Sequence, residues 1–263
     1  MTLMRHSDSV LLQASRLARL YDASLTLIHT GASQAASETY IRDTAAVLDI
    51  DIDQKIVWNQ TDPAVALLNA ARQHQLDLLV CGAFEGPSIN KRRFLSPLAR
   101  SLTEDLPCSL LLLAHPEFDN ASFRRIVAIT DFSETSKVSC RHAVWLAEKD
   151  KSESLHVVSI HSIFQDAVVA LQRGSAEKVV RTREAEENLL EEFVMELPDV
   201  GEFVDVDFSV IDATTGFAAC DFAESVEADL LVLPWYRESN RKVPPLADWA
   251  LQVVPCNLLL VPS

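Results

Sequence analysis

The sequence predicts an α/β protein made of two doubly wound parallel-sheet domains, and three observations lead there. First, Asp77-Leu78-Leu79-Val80, Pro97-Leu98-Ala99 and Pro107-Cys108-Ser109-Leu110-Leu111-Leu112 return in the same order as Asp229-Leu230-Leu231-Val232, Pro245-Leu246-Ala247 and Pro255-Cys256-Asn257-Leu258-Leu259-Leu260. The offset of roughly 150 residues is too long for a solenoid period and suits one small domain, so it marks a tandem duplication. Second, short apolar strands alternate with amphipathic helices in both copies, the pattern of a parallel sheet covered on both faces. Third, 48% hydrophobic and 23% charged residues, with 6 Gly and 11 Pro, fit compact globular halves. The domains are expected at residues 1–116 and 117–263.

In the first half the periodicity predicts helix Ser9 to Tyr21, strand Leu25 to His29, helix Ser37 to Asp49 and strand Ile52 to Trp58. Helix Asp62 to His74, strand Leu76 to Cys81, helix Pro97 to Glu104 and strand Ser109 to Leu113 follow. An opening strand is missing. Aligning Ala14, Leu17 and Ala18 with Ala143, Leu146 and Ala147 makes Thr2 the counterpart of Asp131, which leaves nothing to match Arg125 to Thr130. Either the start codon is assigned late or this half has one strand fewer.

The second half opens with strand Arg125 to Thr130 and a helix begun by Ser133 or Ser136, whose apolar face is read as Val138, Ala143, Val144 and Ala147. Strand Leu155 to Ile160 comes next, then a helix from Ala176 to Glu196 bearing Val179, Val180, Leu189, Leu190, Phe193 and Val194, stopped by Pro198. Val204 to Val210 alternates as a strand. Helix Gly216 to Val226, strand Asp229 to Leu233, helix Pro245 to Val253 and strand Asn257 to Val261 close the chain.

Charge and composition exclude several classes. A formal charge of -15 opposes the basic footprint of nucleic-acid binders and of proteins that settle on anionic membranes, so neither partner is expected. No apolar run approaches the roughly 18 residues of a membrane span, and the first ten residues lack a signal-peptide core, which points to the cytoplasm. Five cysteines without a Cys-x-x-Cys spacing suggest neither a disulfide framework nor a zinc ribbon, and Cys108 and Cys256 read as buried structural thiols.

Ile126-Val127-Ala128-Ile129-Thr130-Asp131-Phe132-Ser133-Glu134, Thr61-Asp62-Pro63-Ala64, Asp77-Leu78-Leu79-Val80-Cys81-Gly82 and the closing Pro-Cys strand of each half resemble the universal stress proteins, in the form with two such domains in one chain. The resemblance covers nearly the whole chain. It implies a five-stranded parallel sheet of order 3-2-1-4-5 in each half, in which the missing strand would be central. Domains of this family pair through the last strand, which implies an internal pseudo-dimer of Leu110 to Leu113 with Leu258 to Val261. An open apolar edge strand invites association, so covering it is also expected on physical grounds.

Nucleotide-binding members carry Gly-x2-Gly-x9-Gly-Ser/Thr after the fourth strand, where glycines let backbone N–H groups reach a triphosphate and the last pair opens a helix. An acidic residue ending the first strand helps hold the adenosine part. The first half has Gly82-x3-Gly86-x9-Ser96-Pro97, one residue longer, with Ser96-Pro97 as an ordinary helix start. Lys91-Arg92-Arg93 is a solvated run or a charge substitute for lost donors. In the second half Pro234 replaces the first glycine, Pro244-Pro245 replaces the terminal pair, and the interval from Asp229 to Cys256 is four residues shorter than that from Asp77 to Cys108. A glycine-free loop with Trp235 and Tyr236 cannot present a row of donors. Asp131 caps the next helix or touches a ligand; both readings stay open. The candidate ligand-binding residues are therefore Gly82, Gly86, Ser96, Asp131, Ser133 and Ile160, with ATP in the first half as the one cofactor to consider.

No hydrolase elbow, Gly-Lys-Ser/Thr loop or His-Glu-x-x-His occurs, so a catalytic centre and a metal site are not expected. His156 and His161 read as flanking a strand, and His29 as a hydrogen-bonded core histidine. About twenty extra residues between the second and third strands of the second half, including Ile163-Phe164, Ala167 to Leu171 and Gly174-Ser175, suit a flap over the cleft, a homodimer contact or a plain helix extension. The reading is a non-enzymatic, stress-linked small-molecule-binding or regulatory module with degraded nucleotide sites. Its rival is an ATP-binding protein with weak binding or slow hydrolysis in the first half.

Overall fold

The computed structural model describes residues 2–30, 35–47, 56–59, 62–84, 95–114, 122–161, 183–197, 206–213, 217–235 and 245–262. The chain folds as two compact units, Met1–Ala121 and Ser122–Ser263. The expected flap, and Val179 and Val180 of the expected helix, lie outside the described residues.

In the first unit the order is α1 (Thr2–Leu20), β1 (Leu27–Thr30), α2 (Ala35–Val47), β2 (Ile56–Asn59), α3 (Pro63–Gln73), β3 (Leu78–Gly82), α4 (Pro97–Asp105) and β4 (Ser109–Leu113). Helix starts follow local chemistry. Asp62 caps α3 by accepting from the N–H groups of Ala64 at 2.9 Å and Val65 at 3.2 Å, while Pro63 has no N–H to leave orphaned. Ala66, Leu67, Ala70 and Ala71 then form the buried stripe of α3. Helix α1 extends upstream of the expected Ser9 to Thr2. Leu11 packs in a satellite core with Ala45 of α2 and with Leu25 and Leu27.

The strands of this unit form two separate parallel pairs. Leu27–Thr30 runs beside Ile56–Asn59, and Leu78–Gly82 beside Ser109–Leu113. Among the described residues no strand joins β1 to β3, so the order 3-2-1-4-5 expected of each half is interrupted here.

The second unit has a central strand, β5 (Arg125–Thr130). It runs β5 (Arg125–Thr130), α5 (Glu134–Asp150), β6 (Ser154–His161), α6 (Arg183–Met195), β7 (Val206–Asp212), α7 (Phe217–Ser225), β8 (Leu230–Trp235), α8 (Pro245–Val253) and β9 (Asn257–Pro262). All pairings are parallel, in the order β7-β6-β5-β8-β9. This is the predicted 3-2-1-4-5 arrangement. Ile126 to Ile129 and Leu230 to Leu233 are all 0% exposed, which is why these strands read as unbroken apolar runs. Helix α1 packs on β3 and helix α5 packs on β8.

Two expectations need correction. Val138 is 37% exposed and does not belong to the apolar face of α5, whose buried residues are Thr135, Ser136, Ser139, Cys140, Ala143, Val144, Leu146 and Ala147. The inner arc therefore runs through small hydroxyl side chains before it turns apolar, and Val138 falls beside it. Strand β8 does not end at Leu233 but continues through Pro234 and Trp235, opposite Val261 and Pro262. It pairs with β5 only over Leu230 to Val232, so Pro234 sits past the doubly paired stretch, where a missing N–H is tolerated.

The duplicated aspartate shows what the central strand requires. Asp229 Oδ2 accepts from the backbone N–H groups of Arg124 and Arg125, both at 2.9 Å, and the Asp229 N–H donates to the Arg125 carbonyl at 2.8 Å. One carboxylate thereby pins the start of β5 to the start of β8. Its counterpart Asp77 is exposed; its carbonyl accepts from the N–H of Ser109 at the start of β4 at 3.1 Å, but among the described residues no strand start donates to its carboxylate. Replacing Asp229 by alanine should cost about 2 kcal/mol in urea unfolding, because two charge-assisted bonds to backbone are lost. Asp77→Ala should stay within about 0.5 kcal/mol, as at an ordinary surface site. Equal costs would show that the two aspartates do the same work.

The cysteines are free thiols, and Cys108, Cys140, Cys220 and Cys256 are buried. Desolvation pushes Cys81, Cys140 and Cys220 up to about 12 and raises Cys256 as well, so little thiolate exists near neutral pH. Ellman's reagent at pH 8 should leave the four buried thiols unmodified in the native protein and titrate all five after denaturation. Rapid native reaction at Cys140 would contradict this burial.

Candidate functional site

The direction of strand addition reverses at β5, which is flanked by β6 on one side and β8 on the other. In an open parallel sheet the crevice at the carboxyl ends beside such a reversal is where ligands bind. In the second unit that edge is formed by the ends of β5, β6 and β8, and the β5–α5 turn stands over it.

The turn is built from hydroxyls and one carboxylate. Thr130, 1% exposed, accepts from the Phe132 N–H at 3.0 Å, and its Oγ1 lies 3.0 Å from Ser136 Oγ. Since Ser136 donates its own proton to the Ser133 carbonyl at 2.9 Å, Thr130 is the donor toward Ser136. Ser133, not Ser136, is the N-cap of α5 and accepts from the Ser136 N–H at 3.1 Å. Asp131 Oδ1 accepts from both the Ser133 N–H at 3.1 Å and the Ser133 hydroxyl at 2.5 Å. Asp131 therefore orients the cap residue and leaves the capping to Ser133, and it is exposed.

Phe132 adopts φ 63°, a left-handed conformation that costs a bulky residue roughly 1–2 kcal/mol. The cost is offset by packing. Its ring meets Phe193 of α6 edge-on, with centroids 5.8 Å apart, and Lys137 Nζ reaches Glu196 Oε2 at 2.5 Å. The turn that carries Asp131 is thus fastened to α6.

The first unit offers less. Gly82 is the last residue of β3, opposite Leu113. Ser96 is buried at 5% exposure and caps α4 by accepting from the Ala99 N–H at 3.1 Å. Its own N–H donates to the Ala83 carbonyl at 2.8 Å, and Pro97 has none. Three of the positions that would face an anion at this helix start are therefore engaged or lack a donor. Gly86 and Lys91 to Arg93 lie outside the described residues.

Asp131 and Ser133 come together with two hydrogen bonds between them, and Ile160, half-buried, is the penultimate residue of β6. His156 lies within β6, between β5 and β7, and not at its flank; His161 is the last residue of β6, opposite Asp212 of β7 and past the end of β5. His29 lies within β1. The sequence reading missed a buried cluster of Ser159, His161 and Glu186, although polar residues two apart in an otherwise apolar strand were its visible signal. Among the described residues no group of three or more His, Cys, Asp or Glu is placed to hold a metal ion, and no helix is long and apolar enough to cross a membrane.

The family model described as universal stress protein family matches residues 122–262. No match is found among curated proteins. A universal stress protein structure from Archaeoglobus fulgidus is 13% identical over 96% of this chain and 93% of that one, with a TM-score of 0.66. A Pseudomonas aeruginosa structure assigned to the same group is 16% identical over 96% of this chain and 87% of that one, with a TM-score of 0.68. At such identities the likeness speaks for the fold alone. The family match itself spans more than half of the 263 residues, and on that ground the chain belongs to the universal stress protein family.

Proposed function

We propose that the chain is a non-enzymatic, stress-linked binding or regulatory module of two universal stress protein domains, working in the cytoplasm on a small molecule, with degraded phosphate sites. The observation that carries this reading is the end of β8. Where the nucleotide-binding pattern has its first glycine, Pro234 is still in strand register with Val261, and Trp235 is 3% exposed within the same strand. A proline followed by a buried tryptophan offers a triphosphate no flexible backbone and fewer donors. The intact part of this site is the other half, the Asp131–Ser133 turn.

The second reading, ATP binding in the first domain, rests on Gly82 at the carboxyl end of β3. The occupied donors at the start of α4 argue for weak attraction, supplied mainly by Lys91, Arg92 and Arg93. Calorimetric titration of the full chain with magnesium-ATP should give affinity weaker than about 100 μM. It should fall steeply with added salt and disappear when those three residues are replaced by alanine. Saturable micromolar binding that ignores salt would overturn the reading of both loops.

We also propose that the domains pair through their closing strands. The support is the uninterrupted apolar sequence of Leu110 to Leu113 and Leu258 to Val261, which is an association hazard unless covered. Replacing Leu111 and Leu259 together by lysine should loosen the halves or cause aggregation, read by light scattering and limited proteolysis. A double variant that stays monodisperse and equally protease-resistant would refute the pairing.

A further inference from the structure

Strand β3 is paired on one side only among the described residues. The Ser109 N–H donates to the Asp77 carbonyl at 3.1 Å and the Ala83 N–H donates to the Leu113 carbonyl at 3.0 Å, so the odd-numbered residues of this stretch turn their backbone toward β4. The N–H and C=O groups of Leu78, Val80 and Gly82 point the other way. No backbone partner meets them there among the described residues, and all three residues are half-buried. In the matching strand of the second unit Leu230 and Val232 are 0% exposed, and β8 is paired on both sides, by β5 and by β9. A row of unpaired backbone groups on a strand edge is a template for one more strand.

The residue in front of β3 specifies what kind of strand. Asp229, the echo of Asp77, takes the N–H groups of Arg124 and Arg125 on its carboxylate, and β5 enters parallel to β8 with start beside start. Asp77 stands at the same place before β3, exposed, with no N–H on its carboxylate among the described residues. Helix α3 packs on both β1 and α4, as α7 packs on both β6 and α8, and between β6 and β8 lies β5. A second copy of the chain suits this edge poorly. Two β3 edges meeting about a two-fold axis run antiparallel, which sets each Asp77 beside the far end of the other strand, and two chains of formal charge -15 repel.

We propose that the open edge of β3 is a docking site for an extended, apolar segment of another polypeptide, which adds as a strand parallel to β3 and brings its first two N–H groups to Asp77. Main-chain pairing with Leu78, Val80 and Gly82 supplies the affinity, and aliphatic side chains on both faces of the segment match the buried pattern of β5. The inference takes from the two-domain reading only the correspondence of Asp77 with Asp229.

The probe is a synthetic peptide with the sequence of residues 123–131, Phe-Arg-Arg-Ile-Val-Ala-Ile-Thr-Asp, added to the full chain. Fluorescence anisotropy of the labelled peptide reads affinity, and hydrogen exchange by NMR reads position. Expected are saturable binding and slowed exchange at Leu78, Val80 and Gly82. A nitroxide on the amino end of the peptide should broaden the Asp77 signal more than that of Gly82, as a parallel strand requires. Asp77→Ala, a change at an exposed site that leaves the fold intact, should weaken binding roughly tenfold through loss of the charge-assisted bonds. Methylating the backbone nitrogens of the two peptide arginines should weaken binding to the unchanged chain by a similar factor and add little to the loss in Asp77→Ala. A scrambled peptide that binds as well, an Asp77→Ala chain of unchanged affinity, protection elsewhere, stronger broadening at Gly82, or no binding at all overturns the proposal. Each of these results leaves the small-molecule reading of the second unit standing, because none of these residues belongs to it.

Discussion

Strand β5 is the constraint on which the second unit depends. Parallel strands have no hairpin to hold their register, so a central one needs fixing at both ends. At its start the Asp229 carboxylate gathers the N–H groups of Arg124 and Arg125, and at its end Thr130 is tied to Ser136 and Phe132. Between these ties Ile126 to Ile129 contribute only apolar surface, fully buried. Polar chemistry thus sets the register and apolar burial supplies the stability.

The same strand places the candidate site. Its carboxyl end delivers Asp131 to the exposed edge, and the left-handed Phe132 redirects the chain into α5 while pressing its ring on Phe193. A ligand at this turn would therefore meet residues already committed to one another by hydrogen bonds. Preorganised polar groups lose little freedom on binding. The hydroxyl-lined inner arc of α5 belongs to this arrangement, because Ser136 serves both the cap and the strand end.

Much of this plan was legible in the residues. Strands β4 and β5 and helix α8 were read to their observed ends, since each apolar run is bounded by a proline, a charge or a cap. Ser133 was offered as a start of α5 and proved to be it. The end of β8 was misplaced: the strand was read to Leu233, but Pro234 and Trp235 continue it beyond the doubly paired stretch. The echo of Asp77 in Asp229 marked the aspartate without revealing its role, because a carboxylate that holds another strand's backbone leaves no trace in local periodicity. Glu186 was invisible for the same reason: it meets Ser159 across 27 positions of chain.

The separate strand pairs of the first unit have a consequence for how each unit breathes. In the second unit an amide of β5 or β8 is released only by opening a sheet sealed on several sides, which makes its hydrogen exchange a global event. In the first unit β1 and β2 form a pair of four residues each, supported by α2, α3 and a satellite core around Leu11. Two-stranded pairs are marginal by themselves, so their amides exchange through local openings that leave β3 and β4 undisturbed. Fast exchange is thus expected to be confined to the β1–β2 pair, with slow exchange at the centre of the second unit's sheet.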